Sequence, residues 1–206
     1  GPSGLGKTTL AHIIAKECAS NINMTSGAAL EKAGDIAAIL TNLQDGDIFF
    51  IDEVHRLNKL IEEVLYPAME GFKLDIIIGK GASAKTIQIN LPRFTLIAAT
   101  TRIALLSSPF RSRFGVNYRL DFYNQENIEK IIERSAKILN IKMDKEGREA
   151  LAKASRYTPR IANKLLKRTR DLAQVKGEEM INPRVVSETL SMLDIDELGL
   201  ETTDRK

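Results

Sequence analysis

The stretch Gly1-Pro-Ser-Gly-Leu-Gly-Lys-Thr8 decides the fold of this 206-residue chain. It matches G-x-x-x-x-G-K-[ST], a glycine-rich loop whose backbone N–H groups close around phosphate oxygens at the start of a helix. Lys7 would reach the β- and γ-phosphates, and the Thr8 hydroxyl would ligate Mg²⁺. The alternative, a flexible glycine turn, is disfavoured by the complete motif and the helical segment after it. The nucleotide-binding residues predicted in this loop are Gly4, Gly6, Lys7, Thr8 and Thr9.

An acidic pair lies some fifty residues further on. Four apolar residues at positions 48–51 lead into Asp52 and Glu53, as in a buried strand that delivers an acid at its carboxyl end. Asp52 is predicted to belong to the Mg²⁺ shell, and Glu53 to polarise the attacking water. By themselves these could be two surface acids, but together with the phosphate loop they predict the second half of a nucleoside triphosphate site.

Strand-like and helical segments alternate over residues 1–122. Short apolar runs at 47–51, 94–100 and 117–121 alternate with helical periodicity at 7–19, 28–43 and 58–69. This order predicts an α/β fold with a parallel sheet.

A β-hairpin is predicted within this unit, with strands at 72–78 and 85–91 around a Gly-Lys-Gly-Ala-Ser-Ala turn. Its apolar residues are too numerous for a free two-stranded ribbon in water, which predicts a protein partner for residues 72–91. These residues are Ile76, Ile77, Ile78, Ile87, Ile89 and Leu91.

Only helices are predicted after residue 122. The segments 125–139, 144–154, 160–175 and 184–193 have helical periodicity, with Asn124 and Asp144 as N-caps and Pro159 and Pro183 in first turns. We expect a large α/β subdomain at 1–122, a helical subdomain at 123–193 and a linker at 194–206. Because a phosphate loop normally follows a strand, we expect that strand before residue 1 and read the chain as part of a longer protein.

Composition excludes several classes of protein. The chain is 43% hydrophobic and 28% charged, as in globular proteins, and its net charge of +3 does not indicate nucleic-acid binding. No apolar run approaches the roughly 20 residues of a membrane span. With one cysteine, Cys18, and two histidines, neither a disulfide framework nor a zinc site is predicted, and a reducing cytoplasm is expected.

Five segments, in this order and spacing, resemble the AAA+ ATPases, and most closely the RuvB family of bacterial Holliday-junction branch-migration motors. The resemblance covers essentially the whole chain and implies a phosphate-loop AAA+ core with an inserted hairpin, a helical lid, ATP and Mg²⁺. The segments are GPSGLGKTT (1–9), FFIDEVHRL (49–57), LIAATTR (96–102), SSPFRSRFG (107–115) and TPRIANKL (158–165).

The resemblance also implies roles for particular residues. Thr101, or its neighbour Thr100, corresponds to the first sensor near the γ-phosphate, and Arg113 to the arginine finger that reaches the nucleotide of the next subunit. Arg160 corresponds to the second sensor on the lid. Tyr123 and Pro159 correspond to lid positions that line the base.

The segment Glu70-Gly71-Phe72 corresponds to a nucleotide-linked segment of the family. Its middle position is commonly acidic in the family, and glycine stands there in this chain. Any role of position 71 is therefore one of its backbone.

For partners, the resemblance implies a homo-oligomeric, hexameric ring and a RuvA-like junction-recognition protein bound through the hairpin at 72–91. Four-way junction DNA would be contacted mainly by a winged-helix domain after the lid, which we expect outside these 206 residues. Two other functions stay open: another AAA+ remodeller, such as a clamp loader or a protein unfoldase, and a phosphate-loop kinase acting on a small molecule.

Overall fold

The computed structural model describes residues 1–78, 85–196 and 198–200, without the side chains of Ile77 and Ile78. The predicted hairpin turn at 79–84 and, in the predicted linker, residues 197 and 201–206 lie outside the described residues. The chain divides into two compact units. One contains Gly1 and Lys7–Arg119, and the other contains residues 2–6 together with the chain from Leu120 onward.

A parallel three-stranded sheet organises the first unit, as the alternating pattern predicts. Its strand order is β1 (Ile22–Ser26), β2 (Ile48–Asp52), β5 (Thr95–Ala98), with Ile51 opposite Thr25 and Ala98. The four apolar residues of β2 are buried, since a central parallel strand is covered on both faces. The carboxyl end of this buried strand delivers Asp52.

The helices of this unit are α1 (Lys7–Glu17), α2 (Ala33–Thr41), α3 (Lys59–Gly71) and the short α4 (Ser108–Ser112). Three-residue 3₁₀ turns lie at Val54–Arg56 and Ile103–Leu105. Helix α3 begins after Asn58, whose side chain accepts a hydrogen bond from the Ile61 N–H. Its apolar face packs into a core that includes Ile36, Leu40, Phe49, Ile61, Leu65 and Phe110.

The predicted hairpin is present as the antiparallel strands β3 (Lys73–Ile78) and β4 (Lys85–Asn90). Much of its apolar surface packs within the same unit: Leu91 is buried, and Ile76 and Ile89 pack against the core. Ile87 is 47% exposed. The core therefore accounts for part of the apolar character from which a partner was predicted.

One strand predicted from the sequence is wrong, and one strand of the structure was missed. Residues 117–121 form no strand, and the strand at Ile22–Ser26 was not predicted. The sequence of β1, INMTS, has apolar residues only at Ile22 and Met24, too short a pattern to predict a strand, and pairing with β2 stabilises it as one.

The second unit carries the four predicted helices, α5 (Gln125–Ile138), α6 (Lys145–Ala154), α7 (Pro159–Lys176) and α8 (Pro183–Met192). The N-caps are confirmed, since Asn124 accepts from the Asn127 N–H at 2.8 Å and Asp144 from the Gly147 N–H at 2.6 Å. Pro159 and Pro183 occupy first-turn positions. None of the described helices combines the length and apolar character that crossing a membrane requires.

Candidate functional site

Helix α1 begins at Lys7, directly after the glycine loop. Its first-turn N–H groups have no partner within the helix, which is the backbone arrangement that favours a phosphate. The Lys7 ammonium donates to the Gly1 carbonyl oxygen at 3.0 Å, and Thr9 lies exposed in the first turn. The helix thus presents a lysine and two threonines at its N-terminal end.

Asp52 and Thr8 come together at the carboxyl end of β2. The Thr8 hydroxyl donates to Asp52 Oδ2 at 3.4 Å, and the Glu53 N–H donates to Asp52 Oδ1 at 2.9 Å. The structure therefore brings together, in one unit, the two residues that the sequence predicts as Mg²⁺ ligands. A hydroxyl and a carboxylate are hard oxygen donors of the kind that Mg²⁺ prefers.

Glu53 has a left-handed backbone, with φ 46° and ψ 47°. Such a conformation is strained for a residue with a Cβ and is typical of functional sites. Glu53 Oε2 accepts hydrogen bonds from the Thr101 hydroxyl at 2.9 Å and from the Thr101 N–H at 3.2 Å. The second predicted acid is thus oriented by the predicted first sensor.

The pKa of Glu53 reflects these neighbours. Partial burial of the carboxylate raises its pKa, but the side-chain and backbone hydrogen bonds from Thr101, with the charges of His55 and Lys7, outweigh burial. The net result is a pKa below the usual value for glutamate, so the carboxylate is ionised at neutral pH.

His55 and Thr100 form a second contact beside Glu53. His55 Nδ1 lies 2.9 Å from Thr100 Oγ1 and 3.1 Å from Glu53 Oε2. Of the two candidate sensor threonines, Thr101 therefore bonds Glu53 directly, and Thr100 contacts it through His55. The sequence analysis missed this role of His55, whose only signal was its position two residues after the acid.

Arg113 follows helix α4 and is folded back on its own unit. Its guanidinium lies over the Tyr66 ring, 4.0 Å from the ring centroid, and Nη1 donates to the Pro109 carbonyl oxygen at 2.6 Å. Nε lies 2.9 Å from Glu70 Oε1, but its N–H is not aligned with that oxygen, so the contact is an ion pair without a well-formed hydrogen bond. Within its own unit, the predicted arginine finger thus contacts Tyr66, Pro109 and Glu70.

The segment Glu70-Gly71-Phe72 ends helix α3. Gly71 is its last residue, and Phe72 caps it with φ 52°, donating its N–H to the Ala68 carbonyl oxygen at 3.2 Å. The Phe72 ring meets the Phe94 ring edge-on, with centroids 5.8 Å apart. In this unit, then, Phe72 packs against the core and Glu70 pairs with Arg113.

In the second unit, residues 2–6 of the glycine loop lie against the start of α7. The Arg160 N–H donates to the Gly4 carbonyl oxygen at 3.3 Å, and Arg160 Nη1 donates to the Ser3 hydroxyl at 3.1 Å. Gly4 has φ +82°, and an added Cβ would lie 2.8 Å from Thr158 Cγ2. Glycine is therefore required at this position for both its conformation and its lack of a side chain.

A cavity of about 660 Å³ opens beside this loop within the second unit. Ser3, Gly4, Tyr157, Thr158 and Arg160 are among its lining residues. The predicted residues Tyr123 and Pro159 flank this region: the Tyr123 hydroxyl donates to the Leu5 carbonyl oxygen at 3.4 Å, and Pro159 is the first residue of α7. The sequence analysis missed Ser3, which sits at a variable position of the motif.

A phosphate loop, an acidic pair at the end of a buried parallel strand and a helical lid define the class of AAA+ ATPase domains. Comparison with known families agrees. Residues 1–120 match the family described as "Holliday junction DNA helicase RuvB P-loop domain", and residues 123–196 match "RuvB AAA lid domain". The chain belongs to the RuvB family.

Solved structures of RuvB from Thermotoga maritima are similar over the whole chain. The structure titled as its Holliday junction branch migration motor is 50% identical, with a TM-score of 0.90. Two mutants of the same protein are 49% and 50% identical, with TM-scores of 0.91 and 0.92. All of this chain is covered in each case, and it spans 64% of the length of those chains.

Proposed function

We propose that this chain is the ATP-hydrolysing motor core of a Holliday-junction branch-migration helicase that works in the cytoplasm. The observation that carries the proposal is the meeting of Thr8, Asp52 and Glu53 at the end of β2, with Glu53 oriented by Thr101. This set pairs a metal-ligating hydroxyl and carboxylate with an ionised carboxylate beside them, as ATP hydrolysis requires. The family match and the similarity to a branch migration motor support the choice of substrate.

The residues fit Mg²⁺ with its coordination completed by nucleotide phosphates and water. Thr8 and Asp52 are the protein ligands proposed, because the Thr8 hydroxyl oxygen lies 3.4 Å from Asp52 Oδ2. The ion, when bound, neutralises charge on the β- and γ-phosphate oxygens.

Glu53 is the proposed general base. Its carboxylate is ionised because its pKa is lowered, so Oε1 or Oε2 can accept a proton from the attacking water. Thr101 holds Oε2, which keeps the carboxylate in one orientation. Lys7 and the N–H groups at the start of α1 would hold the phosphates.

In a hexameric ring, Arg113 of a neighbouring subunit would neutralise the remaining negative charge on the transferred phosphoryl group. Arg160 would act as the second sensor, and Tyr123 and Pro159 would line the site of the nucleotide's adenine base. Residues 194–206 would lead to a further domain that contacts most of the junction DNA.

The hairpin is the proposed docking site for a RuvA-like junction-recognition protein. Support comes from β4, where all residues but Ile89 are exposed, and from Ile87, which leaves apolar surface in water. The turn at 79–84 belongs to the proposed site on sequence grounds alone.

Two assays test this function. Lys7→Ala should weaken ATP binding by roughly 10–100-fold, because a charge-assisted contact to phosphate is lost. Lys16→Ala, in the last turn of the same helix, is the matched control and should bind normally. Equal ATP affinity in both variants would contradict the assignment of residues 1–8 as a phosphate-binding loop.

The second assay measures branch migration of a synthetic four-way junction by the protein with a RuvA-like protein added. ATP-dependent strand exchange that stops in Glu53→Gln supports the motor. Phosphate transfer to a small-molecule acceptor, with no migration, would point to a kinase.

A further inference from the structure

We infer that Gly27 is a positioning residue for Glu53: the missing side chain at the end of β1 leaves the space that the Glu53 peptide occupies. This inference rests on the proposed role of Glu53 in hydrolysis. It concerns how the fold places that carboxylate, and Gly27 itself would touch neither ATP nor water.

The backbone contact is close. The Gly27 N–H donates to the Asp52 carbonyl oxygen at 2.8 Å, directly beside the peptide of Glu53. A Cβ built on Gly27 would lie 2.6 Å from the Glu53 carbonyl oxygen and 3.2 Å from the Leu57 nitrogen. Both are main-chain atoms of the residues that flank the 3₁₀ turn Val54–Arg56, so neither can rotate out of the way as a side chain could.

Space, and not conformation, is what this position requires. Gly27 is buried and has no left-handed φ, unlike Gly4 and Gly6 of the phosphate loop. A larger residue could adopt its backbone angles, but its side chain would have to displace residues 53–57 or the end of β1. The constraint is therefore steric and acts on the segment that carries the acid.

The opposite side of the same segment is held by β5. The Val54 N–H donates to the Ala99 carbonyl oxygen at 2.9 Å, and Thr101 donates twice to Glu53 Oε2. The left-handed Glu53 is thus clamped between the ends of β1 and β5. A methyl group on one side would shift the carboxylate relative to Thr101 on the other.

This arrangement predicts a specific defect in Gly27→Ala. Misplacement of a catalytic group by about 1 Å can lower a rate about 100-fold. We expect kcat for ATP hydrolysis to fall roughly 10–100-fold, while KM changes less than about 3-fold, because Lys7, Thr8 and the loop are not touched.

The experiment compares Gly27→Ala with Gly34→Ala, for which an added Cβ meets no heavy atom within 4 Å. Steady-state kcat and KM for ATP hydrolysis and the affinity for a non-hydrolysable ATP analogue are measured, with thermal melting to confirm folding. The double variant Gly27→Ala/Glu53→Gln should be no slower than Glu53→Gln, because both changes act on one group.

Three results would overturn the inference: rates equal to those of Gly34→Ala, a loss of analogue affinity as large as the loss of kcat, or a Gly27→Ala protein that does not fold. The last would assign Gly27 to core packing alone. If Glu53→Gln still hydrolyses ATP, the proposed function fails instead, which separates the two failures.

Discussion

Glu53 and Arg113 are the two proposed catalytic side chains of opposite charge, and the fold holds them in different ways. Glu53 is fixed at the level of the main chain, by its left-handed backbone, by its N–H bond to Asp52 Oδ1 and by the Val54 N–H bond to the Ala99 carbonyl oxygen. Arg113 is held at its side chain, by Tyr66 and Glu70 of helix α3 and by the Pro109 carbonyl oxygen, with Glu70 61% exposed. The acid is therefore placed by the sheet itself, whereas the arginine rests on contacts that can be exchanged.

The energies support this contrast. An exposed ion pair contributes about 0–1 kcal/mol, and a partly solvated cation–π contact about 0.5–1 kcal/mol. The unaligned Nε–H of Arg113 adds little. The hydrogen bond from the charged Nη1 to the Pro109 carbonyl oxygen adds about 1.5–3 kcal/mol. Charge-assisted hydrogen bonds to a phosphate can replace these contacts, in keeping with the proposed action in trans.

The largest expected effect is that of Arg113→Ala. If the arginine leaves Glu70 and completes a neighbour's site, its loss should lower assembly-dependent ATP hydrolysis about 10³–10⁵-fold while ATP still binds. Mixing this variant with Glu53→Gln should restore activity, because each subunit supplies what the other lacks. Arg111→Ala, which changes an exposed arginine of the preceding helix α4, is the control. Absence of rescue in mixed oligomers would contradict action in trans.

Glu53→Gln tests the other member of the pair. Loss of the proposed general base should lower kcat about 10²–10⁴-fold with ATP affinity retained. Phosphate release and analogue binding measure the two quantities separately. Near-normal turnover would leave Glu53 only a structural role.

Thr101→Val sharpens the account of how Glu53 is held. Without the Thr101 hydroxyl, one of the hydrogen bonds that lower the pKa of Glu53 is lost, so the pKa rises towards the usual value. The base is then protonated at a higher pH, and the acid limb of the pH–rate profile should move upward, with about a 10-fold or smaller loss of rate at neutral pH. Thr100→Val loses hydroxyl contacts to His55 and to the Arg102 N–H but none to Glu53, so it should shift the acid limb less.

The smallest effect is expected for Glu70→Gln. Removing the charge that pairs with Arg113 should ease its release, so that half-maximal ATPase activity is reached at about 2–5-fold lower protein concentration. Glu63→Gln, exposed on the same helix, is the matched control. A loss of ATP affinity in Glu70→Gln would instead support the sequence-based prediction that Glu70 contacts the nucleotide.

Local patterns predicted much of this molecule. The hairpin strands, the four lid helices and the proline and asparagine positions at helix starts follow from neighbouring residues, and the structure confirms them. Strand β1 was missed because its apolar pattern is too short to predict a strand, and pairing with β2 stabilises it as one. The apolar run at 117–121 was misread because no neighbouring strand pairs with it among the described residues.

By itself the sequence determined the phosphate loop and the acidic pair, since both depend on fixed spacing along the chain. Only the tertiary structure decided that Thr101 bonds Glu53, that Glu70 pairs with Arg113 and that Gly27 makes room for the acid. The residues of each pair lie 26 to 48 positions apart, and sheet register and helix packing bring them within contact distance. A motif of residues close in sequence can be recognised from their spacing along the chain. Contacts between residues far apart in sequence depend on how the whole chain packs.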